Sequence, residues 1–314
     1  MRVANIWRIY RNRGTSALLT AIRYGLQSAW ARQTGQRYIK KRIYDFEMFL
    51  DVQDKGLSRT LLLFGKRELD HRYILQLVLK PGMTILDIGA NIGYYVLIES
   101  GLIGDGKIIA VEPVPSNVEL LKKNLELNGV GNVVVVPGAV SDRRGVQDFY
   151  LSDMSNLGTF HATGSGLKYL SGEMMPVETW TVSEIAAEYG IPDLIRMDVE
   201  GHEVAILNGM LDDIRAGKIA PLVLFETHLT RYSEENDMAS TLKSLFELGY
   251  HVPYLASSTE SRTHIIRERG YQETVSIATD GMVRGIFESI RAEDAIGFIC
   301  RTGGVRTVLL AKAP

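Results

Sequence analysis

Acidic and imidazole side chains are concentrated directly after two apolar segments of the chain. They are Asp198, Glu200, His202, Glu203, Glu226 and His228. Carboxylate oxygens are the ligands that Mg²⁺ prefers, and an imidazole exchanges a proton near neutral pH. These residue types are therefore suited to removing a proton from a hydroxyl group, either as a general base or through a bound divalent cation.

Asp198 and Glu226 are the strongest candidates among them. The segments Asp193–Met197 and Pro221–Glu226 predict buried strands, and carboxylates at the ends of such strands cost desolvation free energy unless something uses them. We therefore predict that Asp198 and Glu226 are catalytic and that they hold any divalent ion. Glu200 and His228 complete the predicted catalytic group, with His228 as the candidate base.

A structural interpretation competes for three of these residues. Glu200 and Glu203 fall at the start of a predicted helix, where acids interact favourably with the helix dipole. His202 lies in the same first turn, and we expect its side chain at the surface. We also expect His161, in a segment rich in Gly and Ser, to be a solvated loop residue.

A glycine-containing turn at residues 87–93 predicts a nucleotide site. Its sequence is Asp87-Ile88-Gly89-Ala90-Asn91-Ile92-Gly93, and it joins a predicted strand to a predicted helix. Glycines there let a ligand approach the backbone, and the helix N-terminus presents free N–H groups. The dinucleotide pattern G-x-G-x-x-G fails at Asn91 and Tyr94. The pattern D-x-G-x-G-x-G is met with Asn91 as its middle member, since Asn tolerates positive φ.

An acid stands at the end of the next predicted strand. Lys107–Val111 is followed by Glu112, nineteen residues after Gly93. A carboxylate in this place can accept hydrogen bonds from both hydroxyls of a ribose. The turn and Glu112 together indicate an unphosphorylated nucleoside.

The elements that must position these residues alternate regularly. Strands are predicted at Met83–Ile88, Lys107–Val111, Asn132–Val136, Asp193–Met197, Pro221–Glu226 and His251–Leu255. Helices are predicted at His71–Leu79, Gly93–Ser100, Ser116–Asn128, Val182–Tyr189, Glu203–Met210 and Ser233–Leu248. This alternation implies βαβ crossovers, and therefore an α/β fold with a doubly wound, mostly parallel sheet.

Two segments, 141–180 and 256–295, interrupt the alternation and are predicted to be insertions. The first contains two strand-like stretches, Val146–Leu151 and Met175–Thr181, around a long Gly- and Ser-rich loop that we expect to be mobile. The apolar stretches Ile296–Arg301 and Val305–Ala311 predict an antiparallel strand pair at the end of the chain.

The N-terminal segment differs in charge from the remainder. Residues 1–42 contain ten Lys and Arg and no acid, which leaves 25 Lys and Arg against 37 Asp and Glu, or about −12, in residues 43–314. We divide the chain into a basic extension, residues 1–45, and a catalytic domain, residues 46–314.

Within the extension, apolar residues recur every four positions and predict an amphipathic helix over Thr15–Trp30. They are Leu18, Ile22, Leu26 and Trp30. One interpretation places this helix on an anionic membrane, with Trp7, Tyr10, Tyr24 and Trp30 as interfacial anchors. The other packs it on the domain with its arginines in solvent.

Composition excludes several classes of protein. The chain has 314 residues, of which 46% are hydrophobic and 23% charged, as in ordinary globular proteins. The single cysteine, Cys300, excludes an internal disulfide and a multi-cysteine zinc site. Since no apolar run reaches the ~20 residues of a membrane span and no signal-peptide pattern is present, we expect a reducing cytoplasmic compartment, at the inner face of the membrane if the extension binds lipid.

Five segments carry a resemblance to a known family. They are GMTILDIGANIGYY, VEPVPSNVELLKKNLELNG, GAVSD, DLIRMDVEGHE and LFETH, in this order. Over roughly residues 50–255 the chain resembles the FkbM methyltransferases. The resemblance implies the seven-stranded class I methyltransferase fold, S-adenosylmethionine as methyl donor, and O-methylation of sugars or natural products. It places Asp87, Gly89, Ala90, Asn91 and Gly93 at the cofactor and Glu112 on its ribose.

Two positions depart from the family's pattern. Gly138-Ala139-Val140 stands where many class I methyltransferases have an acid that binds the adenine amino group. We therefore expect the backbone at Ala139, or the side chain of Ser141 or Asp142, to make that contact. Trp180-Thr181 replaces the usual Leu-Asp.

The expected function is O-methylation of a sugar hydroxyl in a glycan, glycolipid or natural product. N-methylation is disfavoured because residues 198–201 lack the Asn/Asp-Pro-Pro-Tyr/Phe motif. Nucleic-acid methylation is disfavoured because the acidic body lacks a basic face with interleaved aromatics. A methyltransferase-like domain that binds without catalysis is a further alternative, against which the acids at 198 and 226 argue.

Overall fold

The computed structural model describes residues 15, 18–20, 22–31, 33–161 and 170–313. Its strands are β1 (Tyr38–Ile43), β2 (Phe46–Asp51), β3 (Thr84–Ile88), β4 (Lys107–Glu112), β5 (Val133–Pro137), β6 (Ala139–Val140), β7 (Gly145–Ser152), β8 (Leu170–Trp180), β9 (Leu194–Met197), β10 (Leu222–Glu226), β11 (Tyr250–Ser257), β12 (Val275–Thr279), β13 (Met282–Ile290) and β14 (Val305–Lys312). Its numbered α-helices are α1 (Leu57–Phe64), α2 (Leu69–Val78), α3 (Tyr94–Ile103), α4 (Pro115–Leu127), α5 (Val182–Tyr189), α6 (Glu203–Arg215), α7 (Met238–Glu247), α8 (Glu260–Arg267) and α9 (Ala292–Gly297).

Nine strands of the described residues form the central sheet, in the order β12-β13-β11-β14-β10-β9-β3-β4-β5. The five strands from β10 to β5 are parallel, and β14 lies antiparallel between β10 and β11. The predicted doubly wound, mostly parallel sheet of seven strands is confirmed in β11 to β5. The segment 256–295, which we interpreted as an insertion, adds β12 and β13 at one edge.

Both faces of the sheet are covered, because neighbouring residues of one strand belong to different hydrophobic cores. Leu86 and Ile109 pack in the core beneath α5, α6 and α7, whereas Ile85 and Ile108 pack in the core beneath α2, α3 and α4. Such strands read as continuous apolar runs in the sequence. The sheet therefore presents its polar residues at the strand ends.

Two smaller units flank the sheet. Strands β6, β8 and β7 form a three-stranded sheet, in which the predicted pairing of segments 146–151 and 175–181 is confirmed as β7 against β8. Part of the loop between them, residues 162–169, lies outside the described residues. The hairpin β1–β2 crosses the boundary that we placed at residue 45, and it docks on α4 through Asn124, whose Oδ1 accepts from Phe49 N at 2.7 Å.

The predicted N-terminal helix is confirmed in residues 22–31. It packs on the domain through Tyr24, Ser28 and Ala31, so its predicted apolar face points to solvent, with Leu26 69% and Trp30 57% exposed. Trp7 and Tyr10 lie outside the described residues. None of the helices in the described ranges combines the length and apolar character needed to cross a bilayer.

The predicted strand at Ile296–Arg301 is wrong. This segment continues α9 into a π-helix, Phe298–Thr302. Acids in the first turn of α9 favour the helix, and Ala295, Phe298 and Ile299 are buried at helical spacing. Val305–Ala311 does form a strand, β14. The helix predicted from Ser233 begins only at Met238, because the Asp237 side chain accepts from the amides of residues 239 and 240.

Thr181, where the family usually has Asp, caps α5. Its Oγ1 accepts from Glu184 N at 3.2 Å, and Glu184 Oε2 accepts from Thr181 N at 2.8 Å. This reciprocal pair satisfies two amides at the start of the helix. The hydroxyl oxygen of Thr181 therefore accepts the N-cap hydrogen bond that a carboxylate at this position could also accept.

Thr181→Ala should lower the free energy of unfolding by about 1 kcal/mol, because the cap is lost. Urea unfolding followed by circular dichroism measures the change. Thr181→Ser keeps the hydroxyl and should stay close to the wild type. Equal stability of the Ala and Ser variants would contradict the capping role.

Candidate active site

The turn after β3 has the backbone conformation that its residue types allow. Gly89, Asn91 and Gly93 have φ values of 80°, 51° and 90°. A Cβ atom at Gly89 would lie 2.4 Å from the carbonyl oxygen of Asp198. The glycine is required because the ends of β3 and β9 approach this closely.

Asp87 lies beneath the turn and does not border the cavity. It is fully buried, and Arg196 Nη1 donates to its Oδ1 at 3.0 Å and to Gly89 O at 3.3 Å. Asp87 therefore orients the turn through Arg196, and its assignment to the cofactor stays a prediction. Gly93, which is also outside the lining, is the N-cap of α3, with Leu121 packed against it.

Glu112 is held at the end of β4 with its carboxylate facing the cavity. Oε2 accepts from Asn91 N at 2.8 Å, and Oε1 accepts from Val114 N and Asn117 Nδ2, both at 3.0 Å. Burial raises the pKa of Glu112 to about 7, although these three donors oppose the shift. Oε1 already accepts two hydrogen bonds and Oε2 accepts one, so one lone pair of the carboxylate, on Oε2, is left for a further donor.

A cavity opens at this edge of the sheet. Gly89, Ala90 and Asn91 border it, together with Glu112 from the end of β4 and with Asp198 and Glu200, which follow β9. The segment around Ser155 is held beside the turn, because Ser155 O accepts from Asn91 Nδ2 at 2.8 Å. The mixed polar and apolar lining is typical of a small-molecule site.

The end of the cavity next to Glu112 is bordered by Ala139 and by the ring of Phe160. Ser141 and Asp142 are turned away from it. The Ser141 hydroxyl bonds His202 Nε2 at 3.0 Å and Asp142 Oδ1 at 3.1 Å. Of the three alternatives that we left open for the adenine contact, Ala139 borders the cavity and Ser141 and Asp142 do not, and the contact itself stays a prediction.

His202 is 5% exposed, so its expected surface position is wrong. Its Nδ1 lies 3.1 Å from His161 Nε2, and the centroids of the His202 and Phe160 rings are 4.5 Å apart. Burial lowers the pKa of His202 to about 4, which keeps the ring neutral. His161 is accordingly a half-buried partner of His202 rather than a solvated loop residue.

The predicted catalytic residues converge because β9 and β10 are neighbours, and two of them, Asp198 and Glu200, border the cavity. His228 Nε2 lies 3.8 Å from Asp198 Oδ1 and 3.7 Å from both Glu226 Oε1 and Glu200 Oε2. Asp198, Glu226 and His228 each offer one atom that could bind a metal ion, and these three atoms lie within 4.8 Å of one another. Three strand-end residues predicted separately thus form one cluster.

Glu203 orients this cluster from the first turn of α6. It is fully buried, and its Oε1 lies 2.8 Å from His228 Nδ1. Burial acts to lower the pKa of His228, but Glu203 and Glu200 raise it to about 10, so the ring is an imidazolium. Burial raises the pKa of Glu226 to about 8. Glu203 is therefore more than an acid that stabilises the helix terminus.

Sequence reasoning missed the basic residues that complete the cluster. Arg306, on β14, forms ion pairs with Glu226 and, at 2.6 Å, with Glu68. Arg67 pairs with the same Glu68, and Arg67 and Glu68 both border the cavity. A charged residue inside the apolar run 305–311 was the one available signal for Arg306. For Arg67 and Glu68 the sequence holds no comparable signal.

The sheet order, the glycine turn after β3 and the carboxylate at the end of β4 define a class I methyltransferase fold. Residues 87–252 match the Methyltransferase FkbM domain, which is more than half of the chain. The chain belongs to this family.

Two curated relatives are similar over part of their length. A hexuronic acid methyltransferase, AglP, of Haloferax volcanii is 28% identical over 148 residues, which are 46% of this chain and 56% of the relative. A protein-L-isoaspartate O-methyltransferase of Methanococcoides burtonii is 44% identical over 61 residues, 19% of this chain and 30% of the relative. The chain thus matches about half or less of either protein.

Solved structures to which this chain is similar include the methyltransferase FkbM from Methylobacillus flagellatus. It is 14% identical, with a TM-score of 0.34 and coverage of 73% of this chain and 52% of that one. TYW2 of M. jannaschii in complex with AdoMet is 13% identical, with a TM-score of 0.39 and coverage of 81% and 87%.

Glu112→Ala should weaken binding of S-adenosylhomocysteine by about 1.5–3 kcal/mol, the range of charge-assisted hydrogen bonds. Isothermal titration calorimetry measures the change. Glu119→Ala, which removes an exposed acid from α4, is the matched control and should bind normally. Unchanged affinity of the Glu112 variant would contradict the ribose assignment.

Proposed function

We propose that the chain is an S-adenosylmethionine-dependent O-methyltransferase whose acceptor is a sugar hydroxyl. The observation that carries the proposal is that Asp198, which borders the same cavity as Glu112, forms one cluster with Glu226 and His228. The partial similarity to a hexuronic acid methyltransferase supports a sugar as the acceptor.

The cavity residues fit this cofactor. Glu112 Oε2 retains a lone pair for a ribose hydroxyl, and the turn at Gly89, Ala90 and Asn91 borders the cavity beside it. Bound there, the cofactor supplies an electrophilic methyl group. The chain must align the oxygen of the acceptor hydroxyl with that methyl group, and it must accept the proton that the hydroxyl loses.

A carboxylate of this cluster can accept the proton of the acceptor hydroxyl. Glu203, Glu200 and Glu226 raise the pKa of His228 to about 10, which favours a carboxylate over His228, our predicted base, as the group that takes the proton. Asp198 borders the cavity and is 20% exposed, which leaves its carboxylate accessible to an acceptor hydroxyl. We assign proton removal to Asp198. His228 and Arg306 offset the negative charge around Glu226.

A divalent cation is the second way to activate the hydroxyl. Asp198, Glu226 and His228 would hold it, His228 after losing the proton on Nε2, since their ligand atoms are close together and four carboxylates surround the place. Such an ion would lower the pKa of a coordinated hydroxyl. The same carboxylates serve both versions of the mechanism.

Asp198→Asn and Glu226→Gln should each abolish methyl uptake by a panel of hexose- and hexuronate-containing glycans, while S-adenosylhomocysteine binding stays near normal. Asp212→Asn, an exposed acid on α6, is the control and should be fully active. Full activity of either site variant would contradict the proposal. Activity lost with EDTA and restored by Mg²⁺ or Mn²⁺ would assign the metal version; insensitivity to EDTA would assign proton removal to Asp198 alone.

We also propose that the N-terminal helix rests on an anionic membrane surface. Leu19, Ile22, Leu26 and Trp30 form an exposed apolar strip, and Arg23 beside them is exposed as well. Basic residues near an anionic leaflet contribute about 1 kcal/mol each. The ten bases of residues 1–42 supply that attraction.

Four of those ten bases are engaged within the described part of the chain. The ammonium group of Lys41 donates to the carbonyl oxygens of Leu61 and Leu62, and Arg42 Nε donates to Tyr44 O. Arg37 and Lys40 pair with Asp51 and Glu47. The attraction therefore depends mainly on the other six bases together with the apolar strip.

Leu26→Glu should reduce co-sedimentation with phosphatidylglycerol vesicles at low salt, because it places a charge in the middle of the strip. Ile191→Glu is the matched control, since Ile191 is 59% exposed elsewhere on the domain. If both variants pellet like the wild type, or if the wild type does not pellet, the membrane proposal is wrong. A concentration-dependent dimer broken by Leu26→Glu would identify a second copy of the chain as the occupant instead.

A further inference from the structure

We infer that Arg67 binds the carboxylate of the methionine portion of S-adenosylmethionine, an inference that rests on the proposed function. It would fix the end of the cofactor that lies furthest from adenine. Four observations support the assignment: the anchoring of Arg67, its free N–H groups, the charge of the remaining lining, and the spacing of the strand ends.

Arg67 is anchored beside the glycine turn. Tyr94, the first residue of α3, donates from its hydroxyl to Arg67 O at 3.0 Å and accepts from Arg67 N at 3.3 Å. The Arg67 side chain borders the cavity together with Ala90 and Asp198. Its backbone is therefore tied to the element whose N-terminus the turn forms.

The guanidinium has hydrogen-bonding capacity left. Nη2 donates to Glu68 Oε1, while Nε and Nη1 have no hydrogen-bond partner within the described residues and are not sealed from solvent. Burial opposes the charge, but Glu68 raises the pKa of Arg67, so the group stays protonated. A planar fork of N–H groups matches the two oxygens of a carboxylate.

The rest of the lining does not favour an anion. Among the described residues that border the cavity, the other arginine is Arg196, and its guanidinium is already shared by Asp87, Gly89 O and Asp198. The acids Glu112 and Glu200 would repel a carboxylate. Arg67 is thus the position where a carboxylate gains a partner.

The strand order gives the ligand a direction. Glu112 ends β4 and Asp198 follows β9, with β3 between them. Strands are spaced by about 4.8 Å, so the two outer ends lie about 10 Å apart. A nucleoside whose ribose binds Glu112 and which crosses the turn brings its amino-acid end to the Asp198 side, where Arg67 is anchored.

The test compares two ligands that differ in the amino-acid portion alone. S-Adenosylhomocysteine carries it, and 5′-methylthioadenosine lacks it. By calorimetry, Arg67→Met should weaken S-adenosylhomocysteine binding by about 10- to 100-fold, the range of a charge-assisted pair, and leave 5′-methylthioadenosine unchanged. Lys66→Met, which removes an exposed neighbouring charge, should change neither affinity.

Equal losses for both ligands would overturn the inference, because they would show a general disturbance of the cavity. No loss of affinity for either ligand would also overturn the inference. Arg67 would then be available to bind a carboxylate of the methyl acceptor instead. If the wild type binds 5′-methylthioadenosine but not S-adenosylhomocysteine, the inference fails while the nucleoside site stands. If it binds neither, the proposed function fails with it. Thermal unfolding of Arg67→Met checks that the variant is folded.

Discussion

The site depends on one buried ion pair between neighbouring strands. Arg196 on β9 is 3% exposed and bonds Asp87 on β3, while its second terminal nitrogen lies 3.6 Å from Asp198. It also donates to Gly89 O and lies over the Tyr95 ring at 4.2 Å. Removing one member of such a pair leaves an uncompensated charge, at a cost of about 3–5 kcal/mol. The same guanidinium thus fixes the turn that would carry the cofactor and the acid proposed to act on the acceptor.

The rest of the site extends this network of opposite charges. Glu226 faces Arg306, Arg306 faces Glu68, and Glu68 faces Arg67, so a chain of ion pairs links the catalytic cluster to the proposed carboxylate site. His228 is held from behind by Glu203, which leaves Nε2 toward the other acids. Because the sheet brings four separate strand ends to one edge, charges distant in sequence can be balanced without exposing them. This balance keeps acids buried at the place where we propose that the acceptor hydroxyl loses its proton.

Sequence reasoning reached the parts of this arrangement that local pattern determines. Apolar runs alternating with helical periodicity are enough to predict parallel strands, and parallel neighbours place Asp198 and Glu226 at one edge. Long-range pairing is not encoded locally, so Arg306 and Arg67 were missed. The segment 296–301 was assigned to a strand because a short apolar run has no distinct period. The burial of His202 depends on its contacts with Ser141 and His161, which are 61 and 41 residues away.

The most direct test of the central claim is a crystal structure of the chain with S-adenosylhomocysteine. The account predicts that the ribose bonds Glu112 and that the sulfur lies over the turn, facing the side of the cavity where Asp198 adjoins Glu226. A nucleoside bound away from Glu112, or a sulfur turned away from those two acids, would contradict it.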